Sequence, residues 1–282
     1  MNRPDSSLGK ILLRTSGYGN TAEDMAVDIS YQADQESRKS VTDSPKTSFL
    51  SSIGAHEIYS SELWRAAFTE CVAMAFFMFT LTTSIISCFE SHGVEPKLLV
   101  PVVVFIVAFF FLLAIVPLSG GHLNPVVSFI AALKGLITPV RACVYVLAQC
   151  IGSITGFRLL KCVMSPDAVQ KFSLGGCAID SNGSGVSLGT ALMLEFACTF
   201  LILLLGITVA FDQKRYKELG LTMVCIVIAA SVALAVYVSI VVTGKVGYAG
   251  AGLNPARKVD ALSRLSIRKC AFNEVFVLGF QQ

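Results

Sequence analysis

The sequence has little charge and lacks the common motifs of metal binding and metallopeptidase chemistry. Only 15% of its 282 residues are Asp, Glu, Lys or Arg, whereas globular proteins carry about 25%. Its nine cysteines form no CxxC pair, so we expect no zinc or redox site. No HExxH sequence and no paired intramembrane aspartates occur, and the net charge of +3 is too small and scattered for nucleic-acid binding. We therefore expect no enzyme, no metal and no cofactor.

Long apolar runs take the place of the missing charge. Hydrophobic residues make up 54% of the chain and the mean hydropathy is +0.69, which indicates a protein that crosses the membrane several times. Runs of about 20 apolar residues span a bilayer as helices. They are continuous rather than alternating, which favours an all-α membrane protein over a β-barrel. The sequence predicts five such spans: Leu63–Cys88, Leu98–Pro117, Val140–Val163, Leu188–Phe211 and Leu219–Thr243.

The polar segments predict the domain limits and the orientation of the chain. Residues 1–60 are serine-rich and mixed in charge, as is typical of a disordered tail. Counting Lys and Arg on the two faces gives seven on the side of the N-terminus and four on the other, which predicts a cytosolic N-terminus. The sequon at Asn182 then lies in an outside loop, where glycosylation is possible.

Two short segments, residues 119–127 and 249–257, interrupt the pattern of spans and resemble each other. Each contains small residues followed by Leu-Asn-Pro, with the asparagine at position 124 or 254. Asparagine is a good helix N-cap, and proline suits the first helical turn. After Pro125 only about nine apolar residues precede Lys134, so this helix is half a span long. Because irregular backbone at membrane depth must be enclosed by protein or line a wet cavity, we predict two re-entrant half-helices.

The repeat also includes one carboxylate in the membrane in each half. Glu70 lies 54 residues before Asn124, and Glu195 lies 59 residues before Asn254. Two halves with an odd number of spans each have opposite topology, and such inverted repeats place a transport site near the midplane. We expect both carboxylates to accept hydrogen bonds from unpaired backbone N–H groups of the re-entrant loops.

The paired Asn-Pro motifs, the two carboxylates and the five spans resemble the aquaporin, or major intrinsic protein, superfamily over residues 61–257. The first motif reads Asn-Pro-Val, which, together with the long polar N-terminus, is similar to the plant X intrinsic proteins. The resemblance implies tetramers of identical or mixed subunits, one pore per subunit, and a location in the plasma membrane. It also implies that the half-helices meet end to end and that the pore motifs comprise Asn124, Pro125, Val126, Asn254, Pro255 and Ala256.

The same resemblance implies a selectivity constriction of four residues: Val104, Val236, Ala251 and Arg257. Two valines and an alanine make this constriction wider and less polar than one that passes only water. We expect passive transport of small neutral solutes such as glycerol, urea, boric acid and hydrogen peroxide, and the passage of water is left open.

Residues 258–282 are expected to depart from the family. Members of the superfamily carry a sixth span after the second motif, whereas this segment contains Lys258, Asp260, Arg264, Arg268, Lys269 and Glu274. The sequence therefore predicts a charged remnant in place of the sixth span. An alternative function follows from it, in which a non-conducting chain assembles with full-length channels and modulates them.

Overall fold

The computed structural model describes residues 53–90, 96–165, 188–243 and 251–257. The predicted tail before residue 53, the sequon at Asn182 and the segment 258–282 lie outside the described residues. Within the described part the regular elements are helical. They are α1 (Ser61–Glu90), α2 (Pro96–Ser119), α3 (Pro125–Leu133), α4 (Pro139–Val163), α5 (Leu188–Ile202) and α6 (Gln213–Thr243).

Five of these helical segments are long and apolar enough to cross a membrane: α1, α2, α4, α6, and α5 together with its continuation to Ala210. The predicted all-α membrane fold with five spans is thus confirmed for the described part of the chain. The described ranges contain no sixth helix of this kind. The nine-residue α3 is about 14 Å long at 1.5 Å per residue, which is half the thickness of the hydrocarbon core.

The helices α5 and α6 are less regular than the sequence predicts. The chain after Ile202 forms a π-helical segment, Leu203–Ile207, before the helix resumes. The hydroxyl of Thr208 lies within hydrogen-bond reach of the carbonyl oxygens of Leu203 and Leu204 there. Helix α6 begins at Gln213, before the predicted Leu219, and bends at Gly220, whose φ is 74°. Glycine adopts that left-handed backbone conformation at no steric cost, so a helical segment continues on both sides of the bend.

Helices α1 and α4 pack closely because two glycines face α1. A Cβ atom added to Gly152 would collide with the carbonyl oxygen of Cys71, and one added to Gly156 would collide with that of Ala75. Small residues four positions apart allow two membrane helices to approach at the backbone. This packing fixes α4 beside the helix that carries Glu70.

A short 3₁₀ helix, Ala55–Tyr59, precedes α1 and is attached to the start of α4. The Arg141 Nε donates to the Glu57 carboxylate at 2.8 Å, and both side chains are largely buried. The Val140 N–H donates to the Ile53 carbonyl at 3.2 Å. Residues 53–60 therefore pack against the helices, although the sequence predicts that the membrane region starts at residue 61.

Replacing Gly156 with valine tests the α1–α4 packing. The added side chain collides with the Ala75 backbone, so we expect a loss of about 1–3 kcal/mol, typical of overpacking in a core. Thermal unfolding in detergent measures it. The neighbouring Thr155 is exposed, so Thr155→Val is the matched control and should leave the transition temperature nearly unchanged. Equal transition temperatures for the two variants would contradict the close packing.

Candidate functional site

The two Leu-Asn-Pro segments meet in the fold and hydrogen-bond to each other reciprocally. The Asn124 Nδ2 donates to the Leu253 carbonyl oxygen at 2.9 Å. The Asn254 Nδ2 donates to the Leu123 carbonyl oxygen at 2.8 Å. The two asparagines therefore occupy equivalent positions in an arrangement with approximate two-fold symmetry, although they lie 130 residues apart in the sequence.

Each asparagine also caps the helix that follows it. The Asn124 Oδ1 accepts from the Val126 N–H at 3.0 Å, and the Asn254 Oδ1 accepts from the Ala256 N–H at 3.1 Å. Helix α3 starts at Pro125, and residues 255–257 form the described start of the second half-helix. A carboxamide has two N–H groups, and the bond to the opposite loop uses one of them. The second N–H of each asparagine has no acceptor among the described contacts and can donate to another molecule.

The leucine before each asparagine has a left-handed backbone conformation. The φ angles are 46° at Leu123 and 59° at Leu253, and these are the only two non-glycine residues with positive φ in the described part of the chain. Such a conformation costs of the order of 1 kcal/mol for a residue with a side chain and persists where the surroundings enforce it. At both positions it turns the leucine carbonyl toward the opposite asparagine.

The Glu70 carboxylate is fully buried and holds the first loop. Its Oε1 accepts from the His122 N–H at 3.0 Å, and its Oε2 accepts from the Leu123 N–H at 2.8 Å. The Ser119 hydroxyl donates to Oε1 at 2.6 Å and the Gln149 Nε2 donates to Oε2 at 2.9 Å. Four donors match the acceptor capacity of a carboxylate, which makes this burial of a charged group tolerable.

The Glu195 carboxylate performs the equivalent task in the second loop. Its Oε1 accepts from the Gly252 N–H at 2.5 Å and its Oε2 from the Leu253 N–H at 3.2 Å. Both carboxylates therefore bind two successive N–H groups of their loop, and in each pair the second N–H is that of the leucine. These backbone groups have no helix or strand partner and would be costly to leave unpaired inside a membrane.

Four polar residues around the first loop are part of the site but were not identified from the sequence: Ser119, Ser128, Tyr145 and Gln149. The Tyr145 hydroxyl donates to the Ser119 carbonyl oxygen at 2.9 Å, and Gln149 joins Glu70 to Ser128. A buried glutamine in an apolar helix is a visible signal, since polar groups in membrane helices usually serve a site. Its partners lie on other helices, so the sequence alone does not identify them.

The four predicted constriction residues lie close to the loops, although no single cluster among the described residues contains all four. Val104 is a buried member of the core cluster around α1, α2 and α4, and Val236 of α6 packs against that cluster. Val236 also packs against a second cluster that contains Ala251 and Leu253. Arg257 ends the described helical turn, and its N–H donates to the Asn254 carbonyl at 3.0 Å. Within the described ranges no group of three or more His, Cys, Asp and Glu side chains is placed to hold a metal ion.

Comparison with known proteins gives one family. A family model described as "Major intrinsic protein" matches residues 57–279, a range that includes most of the segment expected to depart from the family. The lens fiber major intrinsic protein of Ovis aries is 34% identical over 210 residues, which are 71% of this chain and 70% of that protein. Aquaporin PIP2-7 of Musa acuminata is 30% identical over 242 residues, covering 84% and 82% of the two chains.

A solved structure has the same fold. The X-ray structure of the aquaglyceroporin from Plasmodium falciparum superimposes with a TM-score of 0.57 and covers 78% of this chain and 96% of that one. The identity is 17%, so the likeness concerns the fold alone.

Replacing Glu70 with glutamine tests the support of the first loop. The amide keeps one acceptor oxygen but turns an NH₂ group toward donors, so we expect a loss of about 1.5–3 kcal/mol, the range for a hydrogen bond to a charged group. Glu218 is exposed and pairs weakly with Lys214, so Glu218→Gln is the matched control. Thermal unfolding in detergent compares them, and an unchanged transition temperature for Glu70→Gln would contradict the supporting role.

Proposed function

We propose that this chain, which belongs to the major intrinsic protein family, conducts glycerol, urea, boric acid and hydrogen peroxide across a membrane. Membership of this channel family and five apolar helices make the protein an integral membrane channel for passive transport of small solutes. The observation that carries the finer proposal is the reciprocal pair of Asn–carbonyl hydrogen bonds, which joins two half-helix N-termini at one point.

The charge distribution at this junction favours neutral solutes. A helix N-terminus carries a positive partial charge of roughly half an elementary charge, and here two N-termini approach each other. Cations and protons are disfavoured in such a field. A neutral hydroxyl or carbonyl oxygen accepts the second N–H of Asn124 or Asn254 without paying the desolvation cost of an ion.

The four constriction residues support solutes larger than water. Val104, Val236 and Ala251 provide an apolar lining, while Arg257 supplies fixed donors and a positive charge. A pocket with one polar side and an apolar remainder fits small polyols and amides, which present both kinds of surface. This composition, with the Asn-Pro-Val motif, supports assignment to the X intrinsic protein subfamily.

The remaining features of the proposal concern the setting of the channel. Residues 61–257 form the channel region, the N-terminus is cytosolic, and Asn182 is an outside glycosylation site. The channel works in the plasma membrane as a tetramer, alone or mixed with related chains. These statements rest on the family, on the distribution of Lys and Arg in the sequence and, for Asn182, on the sequon.

A second candidate is a non-conducting subunit that modulates full-length channels. One observation favours it: six charged residues follow Arg257 between positions 258 and 274. A charged residue at the centre of a membrane helix costs about 2.5–3.5 kcal/mol on insertion scales. On this hypothesis the pore has one wall fewer in the isolated chain.

Replacing Val236 with phenylalanine tests the constriction. In proteoliposomes we expect the larger ring to reduce glycerol flux about tenfold, equivalent to about 1.4 kcal/mol of added barrier, and to reduce hydrogen peroxide flux less because that solute is smaller. Leu234 lies on the same helix and is exposed, so Leu234→Phe is the matched control. Parallel losses for both solutes would contradict a size-selective role for Val236.

Co-expression with a full-length channel separates the two candidate functions. A conducting chain adds to the flux of its partner, whereas a modulating subunit lowers the partner's flux or retains it inside the cell. Flux of the purified chain alone in vesicles, at or above half that of a version with a grafted sixth span, would exclude the second candidate.

A further inference from the structure

A chain of buried polar groups connects the Glu70 carboxylate to the ring of His122. The Gln149 Nε2 donates to Glu70 Oε2 at 2.9 Å and to Ser128 Oγ at 3.2 Å. The Ser128 Oγ lies 3.0 Å from His122 Nδ1. Glu70, Gln149 and Ser128 are fully buried, and His122 is nearly so. The chain links α1, α4, α3 and the first loop.

The available donors and acceptors fix the direction of each hydrogen bond. A carboxylate only accepts, so the amide group of Gln149 must turn its nitrogen toward Glu70, because the flipped amide would set two oxygens against each other. The same nitrogen then donates to Ser128. A hydroxyl has one hydrogen to give, and the described acceptor within reach of the Ser128 hydroxyl is His122 Nδ1. That nitrogen therefore carries no proton.

The opposite arrangement leaves a buried donor unsatisfied. If His122 Nδ1 carried the proton, Ser128 Oγ would accept from both the imidazole and the amide. Its own hydrogen would then have no acceptor among the described side-chain contacts of Ser128. A buried polar hydrogen without a partner destabilises the folded state, so the chain of hydrogen bonds selects the tautomer.

The other ring nitrogen of His122, Nε2, lies on the side of the ring next to Gly120. The described residues provide no hydrogen-bond partner for Nε2, and this atom is not completely enclosed by them. It lies beside Gly120: a Cβ atom there would be 3.5 Å from Nε2, with His122 ring atoms as its only neighbours within 4 Å. The edge-to-face contact with the Tyr145 ring, at 5.2 Å between centroids, holds the plane of the imidazole.

We propose that Gln149 and Ser128 are positioning residues that form a relay: Glu70 orients the Gln149 amide, which orients the Ser128 hydroxyl. This hydroxyl holds His122 as the neutral tautomer protonated at Nε2. The first loop then presents an uncharged N–H donor next to Gly120. Its use by a passing solute rests on the proposed function, whereas the tautomer does not. Among the described residues, the Tyr145 ring contacts the imidazole, and the charges of Glu70 and Arg141 act on it electrostatically.

Nitrogen-15 NMR of the full chain in lipid bilayers tests the assignment directly. The protein has three histidines, so a sample labelled at histidine gives few signals, and His122→Gln identifies the relevant one. At neutral pH we expect His122 to show a protonated Nε2 and an unprotonated Nδ1. A protonated Nδ1, or an imidazolium, would overturn the proposal, and this result needs no variant of the relay to fold.

Two substitutions test the relay beyond the local contact. Ser128→Ala removes the donor to Nδ1, and Gln149→Leu removes the donor that forces the serine hydrogen toward the ring. Both should convert the single tautomer of His122 into a mixture. Ser153→Ala, which removes a buried hydroxyl of α4 that lies outside the relay, is the matched control and should preserve the single tautomer. An unchanged spectrum for Gln149→Leu would overturn the role of the relay.

Flux measurements on the same preparations keep this proposal separate from the channel function. If the wild-type chain shows the Nε2–H tautomer but conducts no hydrogen peroxide or glycerol, the proposed function fails and the relay stands. If it conducts but shows another tautomer, the relay fails and the channel function stands.

Discussion

The structure depends on a constraint of backbone chemistry inside a membrane: N–H groups of an irregular loop need acceptors where water is scarce. Glu70 and Glu195 meet this need with fixed carboxylates, each of which binds two successive N–H groups of a loop. These bonds allow the leucines to keep their left-handed conformation, which in turn aims their carbonyls at the opposite asparagines. The candidate pore is thus a result of satisfying backbone polarity, and the close α1–α4 packing keeps Glu70 where the loop requires it.

The two halves of the molecule solve the same problem with different surroundings. The first loop is held by a network of side chains from α1, α2, α3 and α4, whereas the second loop combines Glu195 with small residues and a cluster around Cys198 and Ala235. The Cys198 thiol donates to the Ala235 carbonyl at 3.5 Å there. An inverted repeat therefore conserves the backbone geometry of the site while leaving each half free to differ in chemistry. This asymmetry gives the two loops unlike surroundings, and His122 belongs to the first of them.

The sequence predicts those parts of the fold that depend on local or repeated patterns. The spans follow from run length, and the caps at Asn124 and Asn254 follow from neighbouring residues, since a cap bonds within its own turn. The hydrogen bonds of Glu70 and Glu195 to the loops could be predicted from the sequence because the repeat places the two residues at corresponding positions. In contrast, the bend at Gly220, the π-helical segment after Ile202 and the contacts of Gln149 depend on packing between helices, which no local pattern specifies. Ser119, Ser128 and Tyr145 could not be predicted as site residues for the same reason, because they acquire their partners only in the folded chain.

The reciprocal bonds between the asparagines have a consequence for how the protein is made. Asn124 bonds to Leu253, which is 129 residues later in the chain. At synthesis rates of about 5–20 residues per second, the first half waits roughly 6–26 s for its partner to leave the ribosome. Helices α1 and α4 are synthesised before the second half, so the first loop can already bond to Glu70, and Ser128 of α3 to Gln149. The carboxamide of Asn124, however, still lacks its acceptor, the Leu253 carbonyl. If the membrane-insertion machinery releases helices one by one, the first half must remain in the membrane without its partner loop. Its own hydrogen bonds to Glu70 then stabilise the first loop during this time.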